Sequence, residues 1–113
     1  LLTSGKKKCF VEVKNVSLVE EDGFYQFPDA VTERGRKHLH ELMREVKKGH
    51  RAVMLFVIQR SDGTLFKPAA HIDPDYARDL KKAYVAGVEI LVWRAAVSPS
   101  GIAFKMPVKF VLD

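Results

Sequence analysis

Cysteine is nearly absent, with Cys9 the only one in the chain. A lone thiol closes no internal disulfide and builds no cysteine-rich zinc site, so a reducing, cytoplasmic setting is expected. No apolar run reaches the length that crosses a bilayer and no secretory leader pattern is visible, so no membrane partner is expected. Internal repeats, low-complexity tracts and linkers are also missing, which excludes solenoids and leaves no boundary between domains. An initiator methionine is lacking too: the chain opens Leu1-Leu2-Thr3-Ser4-Gly5. Leu1-Leu2 resembles the end of a strand entering a turn that Ser4, Gly5 and the basic Lys6, Lys7 and Lys8 complete. The expectation is an N-terminally truncated chain that starts inside a hairpin.

What is present suits one globular domain over residues 1–113. The chain is 47% hydrophobic and 29% charged, a composition able to fill a core but too short for two domains. Its formal charge of +5 leans toward a polyanionic partner, nucleic acid or an acidic membrane surface.

Residues 9–19 organise the rest. They are rich in β-branched side chains and read as one strand. Alternation puts Cys9, Val11 and Val13 on one face and Phe10, Glu12, Lys14, Val16 and Leu18 on the other. Both faces are largely apolar, so a strand covered on both sides is expected. A carboxylate and an ammonium two positions apart on an apolar face are costly to bury unless paired, hydrogen-bonded or metal-bound. An exposed edge-strand pair is the ordinary alternative.

Further along, Glu20-Glu21-Asp22-Gly23 is a turn, and Pro28 breaks the chain after an aromatic stretch. Thr32 suits a helix N-cap, with Glu33 in the first turn and Leu39, Leu42, Met43 and Val46 on one apolar face up to Gly49. Residues 51–60 carry a seven-residue apolar run, the mark of a strand buried on both faces. Residues 64–72 read as loop. Asp73-Pro74-Asp75 opens a second helix that buries Tyr76, Leu80, Ala83 and Tyr84 and stops at Gly87. Residues 88–97 form another strand, and 102–112 a final hairpin arm broken by Pro107. Strands separated by helices predict an α/β fold with a mixed or parallel sheet flanked by helices.

The chemistry concentrates early. Phosphodiester cleavage needs a hard cation on carboxylate oxygens, an activated water and neutralisation of charge on phosphate oxygens. On a strand, Glu12 and Lys14 point the same way, about 7 Å apart. One can hold the cation while the other serves phosphate or water. Asp29 and Glu33 are possible additional acidic ligands, though a turn residue and a favourable first-turn charge are the simpler readings. Arg34, Arg36, Lys37, Arg44 and Lys47 are the candidate phosphate contacts; positions 36, 37, 40, 44, 47 and 48 approximate one helical side. Four histidines do not make a metal site, since His38 and His40 diverge on a helix and His50 and His71 fall in loops. Surface positions suit them better, and Trp93 and Tyr84 suit a core. Gly35, unhelpful to helicity, marks a close backbone approach to a ligand or a packed neighbour.

The chain resembles the sugar fermentation stimulation protein A family. The resemblance is carried by Cys9-Phe10-Val11-Glu12-Val13-Lys14-Asn15-Val16 and by the long stretch Phe27-Pro28-Asp29-Ala30-Val31-Thr32-Glu33-Arg34-Gly35-Arg36-Lys37-His38-Leu39. Gly49-His50-Arg51-Ala52-Val53, His71-Ile72-Asp73, Tyr76 and Gly87-Val88-Glu89-Ile90-Leu91 also match. The resemblance implies a restriction-endonuclease-like core related to PD-(D/E)XK nucleases, an N-terminal OB-like module outside this chain, DNA binding and a regulatory link to sugar metabolism. It further implies a divalent metal, Mg²⁺ by expectation, held by Glu12 with Lys14 as the catalytic lysine. The Asp that precedes Glu-X-Lys in such folds would lie before Leu1, so a fragment of this extent is expected to be inactive. Arg34, Arg36, Lys37 and His38 all compete for the further polar position that related nucleases carry on the following helix. A Mg²⁺-dependent nuclease and a non-catalytic assembly module are the alternative functions.

Overall fold

The computed structural model describes residues 2–4 and 7–112, with side chains from residue 7 onward. The chain runs β1 (Leu2–Ser4), β2 (Lys7–Val16), β3 (Leu18–Val19), β4 (Phe24–Phe27), α1 (Glu33–Lys47), β5 (Arg51–Ile58), β6 (Leu65–Pro68), α2 (Pro74–Ala86), β7 (Glu89–Ser98) and β8 (Gly101–Pro107). A five-stranded sheet has the order β1-β2-β5-β7-β8, and a three-stranded sheet the order β3-β4-β6. β2, β5 and β7 are parallel, while β1 and β8 run antiparallel on the two edges. The mixed α/β sheet expected from the alternation of elements is therefore present. Leu2 pairs with Cys9, as the expected opening hairpin requires; Leu1, Gly5 and Lys6 lie outside the described residues.

Local chemistry sets the helix ends. Thr32 caps α1, its hydroxyl accepting from the Gly35 amide at 2.9 Å. Asp73 caps α2 ahead of Pro74, and Gly87 ends it in the left-handed region at φ 111°. Leu39 and Leu42 of α1 and Tyr76, Leu80 and Ala83 of α2 join Ala52, Met54, Phe56 and Ile58 of β5 and Ile90 and Val92 of β7 in one core. Alternation along β5 places its four contributions on the same face, so both helices cover one side of the large sheet. No described helix is long and apolar enough to cross a membrane.

Several expectations change. Residues 9–19 are not one strand: β2 ends at Val16, and Leu18 and Val19 pair with β4 in the small sheet. Neither are both faces of β2 covered, because Val11 and Val13 are 44% and 48% exposed. With both helices on the Glu12 side, an apolar side chain on the other side gains no shelter from them. Residues 65–68, expected as loop, form β6 at the edge of the small sheet, where Pro68 can end a strand. Phe66, fully buried, exchanges backbone hydrogen bonds with Lys109 and Val111, so the C-terminal segment supplies the pairing that the local sequence does not announce. Tyr84, expected in the core, is 51% exposed; Trp93 is partly buried.

Candidate functional site

Glu12 and Lys14 project from β2 toward α1, where His38 meets them. Lys14 Nζ lies 2.7 Å from His38 Nδ1 and 3.4 Å from Glu12 Oε1. His38 Nδ1 is itself 3.1 Å from Glu12 Oε1, closing a triangle of three polar atoms. The lysine is the most sheltered member, with its side chain 15% exposed against 17% for His38 and 35% for Glu12. An ammonium that donates to Nδ1 requires the ring proton on Nε2, while a ring that donates to Glu12 requires it on Nδ1. Both Nδ1 contacts cannot be ordinary hydrogen bonds at once unless the groups shift.

Beside the triangle opens a cleft of about 500 Å³ between β2 and α1. Glu12, His38, Glu41, Arg44 and Glu45 supply its polar wall, and Phe10 and Leu42 part of its apolar wall. Positions 38, 41 and 45 are three and four apart, so one stripe of α1 faces β2. Among the described residues no three acidic, histidine or cysteine side chains are grouped to hold a metal. What the cleft offers a cation is the half-exposed Glu12 carboxylate and two more glutamates on the facing helix. Oxygen donors of this kind suit a hard, partly hydrated divalent ion.

The position of α1 is set from its other flank. Asp73 accepts from the Tyr76 amide at 3.0 Å through Oδ1 and from the Thr32 amide at 2.9 Å through Oδ2, so one carboxylate ties together the starts of both helices. Gly35 allows the close approach: a Cβ there would fall 3.1 Å from Cε2 of the fully buried Tyr76. Further along, Asp79 Oδ2 accepts from Arg36 Nε and pairs with His40 Nε2, each at 3.0 Å. Burial pushes the Asp79 carboxyl up, but hydrogen bonds and charge from Arg36 and His40 outweigh it, leaving the group below the usual carboxylate range. The Tyr76 hydroxyl is buried with no described hydrogen-bond partner, and burial, with smaller contributions from Asp73 and Glu12, pushes its pKa well above the ordinary phenol value.

Of the sequence candidates, Glu12 and Lys14 come together 3.4 Å apart, and Glu12 lines the cleft between β2 and α1. Asp29 and Glu33 are exposed, and among the described residues neither lines the Glu12 cleft nor joins Glu12 in a metal-holding group. Arg34, Lys37, Arg44 and Lys47 are exposed along α1, but Arg36 is not free for a phosphate: it is bound to Asp79 and lies 3.6 Å from Asp75. His38 is the residue of its set that reaches the site, a correction to the expectation of a surface histidine. The divergence of His38 and His40 holds, since His40 turns to α2. Glu41, Glu45 and Asp79 were not legible as functional or structural partners; the three-and-four spacing from His38 was the available signal for the first two.

A family model described as the sugar fermentation stimulation protein RE domain matches residues 1–101. Among curated relatives, the sugar fermentation stimulation protein homolog of Shewanella baltica strain OS155 is 56% identical over 104 residues, covering 90% of this chain and 44% of the relative. The homolog of Geobacter sulfurreducens is 57% identical over 102 residues, with the same coverage of 90% and 44%. Among solved structures, Pyrococcus furiosus SfsA in complex with Ca²⁺ superposes with a TM-score of 0.81 at 32% identity, covering 95% of this chain and 46% of that one. The chain thus spans less than half the length of these relatives.

Proposed function

The chain belongs to the sugar fermentation stimulation protein family, and we propose that it serves that family as a DNA-binding domain with a divalent-metal site of the PD-(D/E)XK kind. The observation that carries this reading is the triangle of Glu12, Lys14 and His38 beside an open cleft. A carboxylate at the wall of a cleft wide enough for a phosphate, with an ammonium 3.4 Å away, suits a cation and a polyanion together. The Ca²⁺ of the Pyrococcus relative supports a hard-cation site, and Glu12 is the residue we assign to it. Mg²⁺ is the physiological candidate by the same donor chemistry. A second carboxylate would come from outside this chain, with the OB-like module and the first part of the core.

In this reading the exposed Arg34, Lys37, Arg44 and Lys47 track the DNA backbone along α1 and contribute affinity without sequence selection. Lys14 presents a compact positive charge to one phosphate oxygen at the cleft. The cation, when bound at Glu12, would supply Lewis-acid polarisation of phosphate and activation of a water. A second reading, a Mg²⁺-dependent nuclease, is favoured by the sheltering of Lys14, because an ammonium held out of bulk water stabilises developing charge more strongly than a solvated one.

The test uses the full-length protein with DNA, in Mg²⁺, Ca²⁺ and EDTA. Glu12→Gln is expected to weaken Ca²⁺ affinity by at least about tenfold, since it removes the charge of the assigned ligand. Unchanged affinity would refute the assignment. DNA cleavage in Mg²⁺ that Lys14→Ala and Glu12→Gln both abolish would establish the nuclease, whereas binding without cleavage would leave the domain a binder.

A further inference from the structure

We infer that His38 is the residue that positions Lys14, holding its ammonium ready for a phosphate oxygen; this rests on the reading of the Glu12–Lys14 cleft as a metal and phosphate site. A lysine has a long flexible stem, and its charge is useful at a fixed point only if something holds the end. An ammonium has three protons to donate. In this structure one is directed at His38 Nδ1, 2.7 Å away, while Glu12 Oε1, 3.4 Å away on nearly the same side, is held as an ion pair. The bond to His38 fixes where the ammonium sits and leaves its other protons for a ligand.

The two holders are not equivalent. Glu12 is the carboxylate assigned to the cation, and an oxygen engaged with a divalent ion offers less to an ammonium. His38 is uncharged in the tautomer that accepts from Lys14, and its ring comes from α1, a different element. It can keep the lysine in place when Glu12 is occupied. The ring is itself held: neighbouring Leu39 is fully buried in the core, and α1 is tied to α2 on both sides of position 38, through Arg36 and His40 on Asp79. The separation of 3.1 Å between His38 Nδ1 and Glu12 Oε1 also fits two donors on a single ion, which makes His38 as a metal ligand the competing assignment.

Full-length protein carrying His38→Ala or His38→Asn separates these roles. Asparagine places an amide oxygen near the position of Nδ1 and so keeps an acceptor for Lys14. The Lys14 ammonium resonance, followed by ¹⁵N-resolved NMR and assigned with Lys14→Arg, is expected to be visible in the parent and in His38→Asn. In His38→Ala it should be lost to solvent exchange. Mn²⁺ affinity should stay within about twofold in both variants, while DNA affinity in the presence of Ca²⁺ falls by about tenfold in His38→Ala and returns in His38→Asn. A Lys14 resonance that survives in His38→Ala overturns the proposal. So does a loss of Mn²⁺ affinity in His38→Ala, which would make His38 a ligand. If the resonance depends on His38 but the parent binds neither Mn²⁺ nor DNA, the anchoring stands and the metal-site reading alone falls.

Discussion

Gly35→Ala is expected to destabilise the fold, although in an isolated helix the same change is favourable by about 1 kcal/mol. Position 35 lies in the first turn of α1, so the propensity gain is available in principle. Three contacts oppose it. The new Cβ would fall 2.8 Å from Thr32 Cγ2, 3.1 Å from Thr32 Oγ1 and 3.1 Å from Tyr76 Cε2. Tyr76 is fully buried and cannot swing away. Thr32 can rotate only by giving up the 2.9 Å bond its hydroxyl accepts from the Gly35 amide, and losing an N-cap costs about 0.5–2 kcal/mol. Crowding against a packed ring adds about 1–3 kcal/mol. The opposing terms exceed the gain, for a net loss of about 0.5–4 kcal/mol, with Tm falling by about 4–8 °C for each kcal/mol. Urea unfolding followed by circular dichroism measures it. The partner variant Thr32→Ser removes Cγ2, the nearest atom, and keeps the capping oxygen, so Thr32→Ser with Gly35→Ala should recover part of the loss. A Gly35→Ala protein as stable as the parent, or a double variant with no recovery, would refute the packing account of this glycine.

Asp79→Asn should cost about 2 kcal/mol, because it removes the carboxylate charge that Arg36 and His40 face. Since the folded-state pKa of Asp79 is depressed, its contribution is present above the ordinary carboxylate pKa and is lost as pH falls through the lower folded value. Stability measured from neutral pH down to about pH 2 should therefore fall less steeply in Asp79→Asn than in the parent; an unchanged slope would remove Asp79 from the acid response. Replacing Arg34, Lys37, Arg44 and Lys47 with alanine should reduce the salt dependence of DNA binding by a slope of up to about 3–4, whereas Arg36→Ala should lower stability and leave that slope unchanged. The reverse pattern would place the nucleic acid against α2 instead.

Helix ends and buried strands were legible because short-range chemistry decides them. Thr32, Asp73-Pro74 and Gly87 state their roles within four residues, and the apolar run of β5 is buried wherever it is placed in a sheet. What escaped depended on partners distant in sequence. The division of residues 9–19 between two sheets follows from pairing of Leu18 and Val19 with β4, and β6 exists because β4 and the segment around Phe110 pair with it. The exposed face of β2 was equally hidden, since alternation shows that Val11 and Val13 share a side but not whether any helix lands there.

The site shows the same division at the scale of one helix. Arg36, Lys37 and His38 are consecutive, and composition alone makes them a single basic cluster. Each step along α1 turns by about 100°, so three neighbours must enter three environments. Arg36 reaches Asp79 on α2, Lys37 stays exposed, and His38 reaches Glu12 and Lys14 on β2. Which direction is which depends on the azimuth of α1 over the sheet, and that azimuth is set by Leu39 and Leu42 in the core and by the Asp73 and Asp79 ties to α2. The Glu-X-Lys strand can therefore be found by its spacing, but its helix partner cannot be chosen until α2 is in place. Substitutions at Asp73 or Asp79, remote from the cleft, should for that reason disturb the Lys14–His38 contact before they unfold the chain, a coupling that the Lys14 ammonium resonance would register directly.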